Sequence, residues 1–246
     1  MNKSPQSKLI IALDVETPRQ ARELFTVLGD FASMFKIGLQ LFTAAGPEFV
    51  REIVEAGGRV FLDLKFHDIP NTVASAGIEA VRLGVSIFNV HALGGSEMMR
   101  RTAEAVSDTA RREGLSRPQV IAVTVLTSAD AATLHEVGVA SIPEKQVSML
   151  AHLAHQSGLD GVVASPHEVQ LVRAAVNDKQ FIIITPGVRP ASATHDDQKR
   201  VMTPAEAVRS GADYLVIGRS IINAPDPARA AQSILEEMER AGSDQY

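Results

Sequence analysis

Short runs rich in β-branched residues alternate with longer amphipathic stretches from one end of the chain to the other. This alternation is typical of a parallel sheet whose strands are joined by helices. Eight such runs occur, and eight strands close a (β/α)8 TIM barrel, which is the α/β fold that we expect. The predicted strands cover residues 9–15, 34–38, 59–65, 86–91, 120–126, 161–164, 181–185 and 214–217.

The amphipathic stretches predict one helix after each strand, and several begin with Pro or with a Ser/Asp-type cap. The predicted helices cover residues 18–28, 47–56, 72–83, 96–113, 144–157, 168–176, 204–210 and 226–241. No long linker or composition change divides the chain, so we expect a single domain over residues 1–246. An open, doubly wound sheet is the alternative architecture. It usually has a Gly-rich nucleotide turn after its first strand, where this chain has Asp14-Val15-Glu16-Thr17.

The composition excludes several classes of function. A net charge of -5 without Lys/Arg-rich runs argues against binding to nucleic acid or to an anionic membrane. The absence of cysteine excludes disulfides, thiolate metal sites and cysteine nucleophiles. Residues 1–8 are polar, unlike a signal peptide, and no apolar run is long enough to span a bilayer. We therefore expect a cytoplasmic protein.

The run from Asp63 to Thr72, with the sequence DLKFHDIPNT, places alternating opposite charges at the end of an apolar strand. Side chains two apart on a strand share a face, so Asp63 and Lys65 are expected to point the same way. Asp68 falls in the following loop. Opposite charges can stay ionised by mutual pairing at a site that would exclude a lone carboxylate. Three charges in six residues therefore favour a functional site over a single structural salt bridge.

Two more charges interrupt apolar strands. Asp14 ends the first predicted strand, and Lys36 lies on the second. The carboxyl ends of the strands form the active-site face of a barrel. If the barrel is correct, these side chains and those of the third strand converge on one cavity.

The last two strands run into segments suited to an anion. Gly187 and Gly218 let the backbone approach a phosphate closely, and Arg219 can bind it bidentately. The loops after strands seven and eight are the usual phosphate site of this fold. The polar segment of residues 189–203 between strand seven and the next helix is expected to be a lid.

These motifs together resemble the orotidine 5'-phosphate decarboxylase family over nearly the whole chain. The run from residue 63 to residue 72 is the most specific of them. The others occur in the expected order, and they are Leu13-Asp14, Phe35-Lys36-Ile37-Gly38, Thr185-Pro186-Gly187-Val188-Arg189 and Ile217-Gly218-Arg219.

The resemblance implies a catalytic set and an assembly. Lys65 would be the proton donor, held between Asp63 and Asp68. The barrel would form a homodimer across its active-site face, with Asp68, Ile69 and Thr72 entering the partner's site. Neither a metal nor an organic cofactor is implied.

The resemblance also implies a substrate-binding set. Asp14 and Lys36 would reach the ribose hydroxyls, and Thr127 would lie at the pyrimidine. Gln198 would act from the closing loop, between base and phosphate. The phosphate itself would be bound by Arg219 and the Gly218 amide, assisted by Arg189.

Two other functions stay open from the residues alone. One is a related decarboxylase or aldol-type synthase that combines an Asp-x-Lys-x-x-Asp run with magnesium. Ile69-Pro70-Asn71-Thr72 and Gly187-Val188-Arg189 favour the pyrimidine family over it. The other is a nucleotide-binding barrel that has lost catalysis, which the intact Asp63, Lys65 and Asp68 argue against.

Overall fold

The computed structural model describes residues 4–190 and 202–243. Eight parallel strands form a closed barrel in chain order, with β8 paired to β1. The predicted (β/α)8 fold is therefore confirmed. The strands are β1 (Leu9–Ala12), β2 (Met34–Gly38), β3 (Val60–Phe66), β4 (Ile87–His91), β5 (Gln119–Val123), β6 (Gly161–Val163), β7 (Ile182–Pro186) and β8 (Tyr214–Ile217).

Helices surround the barrel. They are α1 (Pro18–Leu28), α2 (Leu39–Glu55), α3 (Pro70–Arg82), α4 (Gly95–Glu113), α5 (Ala131–Glu136), α6 (Pro143–Gln156), α7 (Val169–Val176), α8 (Pro204–Arg209), α9 (Arg219–Ile222) and α10 (Pro227–Ser243). Among the described residues, no helix is both long enough and apolar enough to cross a membrane.

Helices α2 and α5 illustrate where the structure departs from the sequence prediction. Helix α2 begins at Leu39 rather than at residue 47, because a helical segment precedes a kink at Gly46, whose φ is 70°. Pro47 opens the segment after the kink, at a position where its missing N–H costs little. The short helix α5 was not predicted, although Asp130 caps it by accepting a hydrogen bond from the Thr133 N–H.

Strands β1 and β5 end three residues earlier than predicted, at Ala12 and Val123. The parallel pairing of β1 with β2 stops at Ala12 opposite Lys36, and that of β5 with β6 stops at Val123. The apolar character of the sequence continues past the last paired residue. Consequently Asp14 lies in the loop between β1 and α1 and not on a strand.

Apolar side chains fill both faces of the sheet. One buried cluster lies between the strands and the helices, and a second lies inside the barrel, where it includes Ile10, Met34, Phe61, Ile121 and Ile184. Strands buried on both sides explain the nearly continuous apolar runs of the sequence. The interior of the barrel is packed, and in this fold the active site lies at the carboxyl ends of the strands.

Candidate active site

The end of β3 brings Asp63 and Lys65 into direct contact. Lys65 Nζ lies 2.6 Å from Asp63 Oδ1, and the two side chains are 29% and 14% exposed. Lys65 adopts a φ of 53°, a left-handed conformation that residues other than Gly seldom adopt. The pairing between β3 and β4 shifts in this region. The contact therefore occurs in an irregular strand end rather than in a regular strand.

Lys36 extends this contact into a chain of alternating charges. Its Nζ lies 2.8 Å from Asp14 Oδ1 and 3.4 Å from Asp63 Oδ2. Gly38 makes room for this pair, since a Cβ there would lie 2.9 Å from Lys36 Nζ. We call Asp14, Lys36, Asp63 and Lys65 the charge array. Strands β2 and β3 and the loop after β1 thus supply four ionic groups to one place.

Asp63 is the electrostatic centre of the charge array. Burial by itself would raise the pKa of this carboxyl, but the charges of Lys36 and Lys65 oppose that effect. Hydrogen bonds from Lys65 and Asn89 add to the opposition, and the net result is a pKa below the ordinary value of 3.8. Asp63 is therefore an anion at neutral pH, and it can hold both ammonium groups.

Asn89 contacts the charge array, although the sequence analysis did not select it. Its Nδ2 donates a hydrogen bond to Asp63 Oδ1 at 2.7 Å, and its Oδ1 accepts one from the Lys65 backbone N–H at 2.8 Å. The signal available in the sequence was a single amide within the otherwise apolar run Ile87-Phe88-Asn89-Val90. A polar residue inside a buried strand needs partners, and here both partners belong to the site.

Two adjoining cavities open beside the charge array, and both are lined by Lys36 and Asp63. The polar cavity has a volume of about 220 Å³ and is also lined by Asp14, Gly187, Arg189, Gly218 and Arg219. The apolar cavity has a volume of about 180 Å³ and is lined by Lys65 and Thr127 together with Phe61, Val123, Val125, Leu126 and Val163. An elongated ligand with one anionic end and one flat, less polar end would fit this pair.

The structure thus gathers most of the predicted substrate-binding residues around one space. Asp14, Lys36, Arg189, Gly218 and Arg219 line the polar cavity, and Thr127 lines the apolar one. Gln198 and most of the predicted lid of residues 189–203 lie outside the described residues, because residues 191–201 are not described.

Asp68, Ile69 and Thr72 lie apart from this space. All three are exposed, and Ile69 is 66% exposed at the start of α3. Asp68 Oδ1 accepts a hydrogen bond from the Ile69 N–H at 2.6 Å. Within residues 4–190 and 202–243, Asp68 forms no ion pair with Lys65. Among these residues, Lys65 forms an ion pair with one carboxylate, that of Asp63.

His67 and His91, two histidines near the charge array, lie against each other. Their ring centroids are 5.5 Å apart. Burial lowers the pKa of His91, and the nearby charges of His67 and Lys65 lower it further. His91 is therefore favoured in its neutral form beside the cationic end of the array.

Together, the fold and the cavities are typical of (β/α)8 barrel enzymes, with a candidate active site at the carboxyl ends of the strands. The model of the Orotidine 5'-phosphate decarboxylase / HUMPS family matches residues 7–234. The chain belongs to this family.

Similar proteins support the same assignment. The chain is 57% identical to an orotidine 5'-phosphate decarboxylase of Geobacter sulfurreducens over 95% of this chain and 96% of that protein. Identity to the protein of the same name from Geotalea daltonii is 55%, over 95% and 96%. The crystal structure of orotidine 5'-phosphate decarboxylase from Lactobacillus acidophilus superposes with a TM-score of 0.82 at 36% identity, over 94% of this chain and 98% of that one.

Proposed function

We propose that this enzyme converts orotidine 5'-phosphate to UMP and CO2 without a cofactor, and that Lys65 protonates the C6 carbanion. Decarboxylation of this substrate, a step of pyrimidine biosynthesis, is supported by the family and by relatives that are 52% to 57% identical. The observation that carries the proposed mechanism is the charge array, which meets both cavities through Lys36 and Asp63. It places a paired ammonium, Lys65, at the wall of the apolar cavity.

The two cavities match the two ends of the substrate. In the proposed complex, the phosphate occupies the polar cavity, where Arg189, Arg219 and the backbone at Gly218 can bind it. The pyrimidine occupies the apolar cavity beside Thr127. The ribose then lies between them, next to Asp14 and Lys36.

The reaction breaks the bond between C6 and the carboxylate, so CO2 leaves and its bonding electron pair stays on C6. Lys65 Nζ donates a proton to that pair, which gives UMP and a neutral amine that solvent reprotonates. The pair cannot delocalise into the ring, so fixed protein charge must stabilise it. Asp63 serves this step by holding the Lys65 ammonium in an ion pair at 2.6 Å.

The charge array alone does not supply the whole rate enhancement. One ion pair at about 4 Å contributes about 4 kcal/mol at an effective dielectric of about 20. Enzymes as a class lower barriers by about 8–23 kcal/mol. We attribute the remainder to binding energy of the phosphate group that is used to close the site and exclude water. Gln198 would contribute from the closing segment.

We further propose a homodimer with shared sites. Asp68, Ile69 and Thr72 are exposed and line neither cavity, and Asp68 has no ion pair among the described residues of its own chain. In the dimer, Asp68 of one protomer would approach Lys65 of the other, while Ile69 and Thr72 would line its pyrimidine site.

A cytoplasmic location follows from the proposed reaction, because nucleotide substrates are charged and do not cross membranes unaided.

The direct test measures the absorbance change of orotidine 5'-phosphate with the purified protein, with and without EDTA. We expect full turnover in both arms. Activity that EDTA abolishes and magnesium restores would favour a metal-assisted synthase chemistry. Tight UMP binding without turnover would show a binding protein instead.

The shared site is tested by mixing two inactive variants, Lys65→Ala and Asp68→Ala. Random subunit exchange at equal concentrations should leave roughly a quarter of all sites intact under two-fold symmetry. Sites built within one chain would give no rescue, because each would carry one of the two substitutions. Differently tagged chains verify the exchange, and mixed dimers without activity would contradict the shared site.

A further inference from the structure

Asn89 is a buried amide that links the two charged residues of β3. It is 1% exposed on β4, and its side chain has one acceptor and two donor hydrogens. The acceptor binds the Lys65 backbone N–H at 2.8 Å, and the amino group binds Asp63 Oδ1 at 2.7 Å. Both bonds therefore go to residues of the charge array.

The irregular pairing of the sheet explains why this one side chain makes both contacts. Leu62 pairs with Phe88, and pairing resumes with Phe66 opposite Val90. Three residues of β3 therefore lie opposite Asn89 alone. A backbone N–H in such a bulge lacks its regular partner, and the Asn89 side chain accepts the hydrogen bond from Lys65.

The backbone at Lys65 needs this support. Only Lys65 and Asn177 have a positive φ among the described residues other than Gly, and Asn177 ends helix α7. Conformations of this kind persist where the surrounding structure holds them, and they cluster at functional sites. At Lys65 the hydrogen bond from its own N–H to Asn89 fixes the residue whose ammonium group contacts Asp63.

We infer that Asn89 is a positioning residue, which holds the backbone of Lys65 and the carboxylate of Asp63 so that the Lys65 ammonium points at the reacting carbon. The inference rests on the proposed role of Lys65. Asn89 also limits how Asp63 can turn, since Asp63 Oδ1 accepts from both Asn89 Nδ2 and Lys65 Nζ. Its side chain acts through these two residues and does not react.

The first test replaces Asn89 by Leu, which is similar in size and can make neither hydrogen bond. We expect kcat to fall about 100-fold or more, while KM and the Kd of UMP stay within about threefold, since phosphate binding involves other strands. Thr102→Val is the matched control. It also removes one buried side-chain hydrogen bond, from Thr102 to the Met98 carbonyl, and Thr102 lines neither cavity.

The second test uses Asn89→Asp, which keeps the shape of the side chain and makes the kcat of the variant depend on pH in a way that tests the role of Asn89. A protonated Asp at this position can donate to Asp63 and accept from the Lys65 N–H, as the amide does. An ionised one would repel Asp63. Among the described residues, the other titratable and charged groups that act on Asp63 are Lys36, Lys65 and His91. We therefore expect the kcat ratio of this variant to wild type to fall as pH rises.

These measurements separate the possible outcomes. If Asn89→Leu keeps kcat within about threefold of wild type, the positioning role is wrong even when Lys65→Ala is inactive. The positioning role would also be wrong if Asn89→Leu lost kcat and UMP affinity equally and the kcat ratio of Asn89→Asp to wild type did not change with pH. That combination would indicate that Asn89 is a merely structural residue. Should the Leu variant fail to fold, the pH dependence of Asn89→Asp decides alone. An active Lys65→Ala variant would instead contradict the proposed function.

Discussion

Replacing Lys65 by Ala should remove catalysis and leave the barrel folded. In the wild-type protein, Lys65 Nζ lies 2.6 Å from Asp63, while Lys36 Nζ lies 3.4 Å from the same carboxylate. At an effective dielectric of about 20, these contacts correspond to about 6 and about 5 kcal/mol of Coulomb energy. Removal of Lys65 therefore leaves Asp63 with nearly half of its ionic stabilisation and with the hydrogen bond from Asn89.

The predicted cost in stability is correspondingly small. Losing one partner of a buried ion pair costs about 3–5 kcal/mol when the other charge is left uncompensated. Here Asp63 keeps a cation and an amide donor, so we expect the free energy of unfolding to fall by about 1–3 kcal/mol. That is less than the total stability of about 5–15 kcal/mol for an ordinary domain. Urea unfolding measures the difference.

The predicted loss of activity is much larger. General acid catalysis contributes a factor of about 10² to 10⁴, and an ammonium placed beside developing negative charge contributes about 4 kcal/mol more. We therefore expect kcat to fall by about 10⁵-fold or more, while calorimetry gives a Kd for UMP within about threefold of wild type. Lys145→Ala, at an exposed position on α6, is the control. Turnover above about 1% of wild type would refute the assignment of Lys65 as the acid.

Three other predictions concern the rest of the site. Arg219→Ala should weaken UMP binding by about 30-fold to 100-fold and leave uridine binding nearly unchanged, because its proposed partner is the phosphate; calorimetry that shows equal losses would remove Arg219 from the phosphate site. Gly38→Ala should change the unfolding temperature little but lower kcat/KM about tenfold or more. The new Cβ would lie 2.9 Å from Lys36 Nζ and displace that ammonium. Unchanged kinetics would show that the position of Lys36 does not matter for catalysis. The folded-state pKa of Asp63 is depressed below 3.8, so the ionised Asp63 side chain stabilises the fold above that pH, and this stabilisation is lost as pH falls through the folded-state pKa. The free energy of unfolding, measured down to about pH 2, should therefore drop more steeply for wild type than for Asp63→Asn.

The barrel could be predicted because the pattern that determines it, the alternation of apolar and amphipathic segments, is visible locally in the sequence. Eight apolar segments separated by amphipathic stretches leave few arrangements in which every strand is buried on both faces. The ends of β1 and β5 could not be predicted as well. Apolar residues continue past Ala12 and Val123, whereas each strand ends at the last residue that is paired with the neighbouring strand. Pairing partners are distant in the sequence, so this limit is not visible locally.

The charge array was partly predictable for a similar reason. The two-residue spacing of Asp63 and Lys65 indicates a shared face, and charged residues on successive strands indicate a common cavity. The positive φ of Lys65 could not be predicted, because Lys has no preference for that conformation. The role of Asn89 depends on the same irregularity. Only the shifted pairing between β3 and β4 places its side chain opposite both charged residues.

The composition of the charge array gives a physical reason for a site shared between protomers. Asp14, Lys36, Asp63 and Lys65 alternate in sign and sum to zero, and the chain of contacts ends on Lys65. An ammonium group has three donor hydrogens, and within the described residues Lys65 gives one of them to Asp63. In the proposed dimer, the partner's Asp68 would accept a second, and the third would point at the substrate. Among the described residues, Asp68 forms no ion pair with Lys65 of its own chain; it is exposed, and its Oδ1 accepts a hydrogen bond from the Ile69 N–H. In the proposed dimer, completion of each site would therefore depend on assembly.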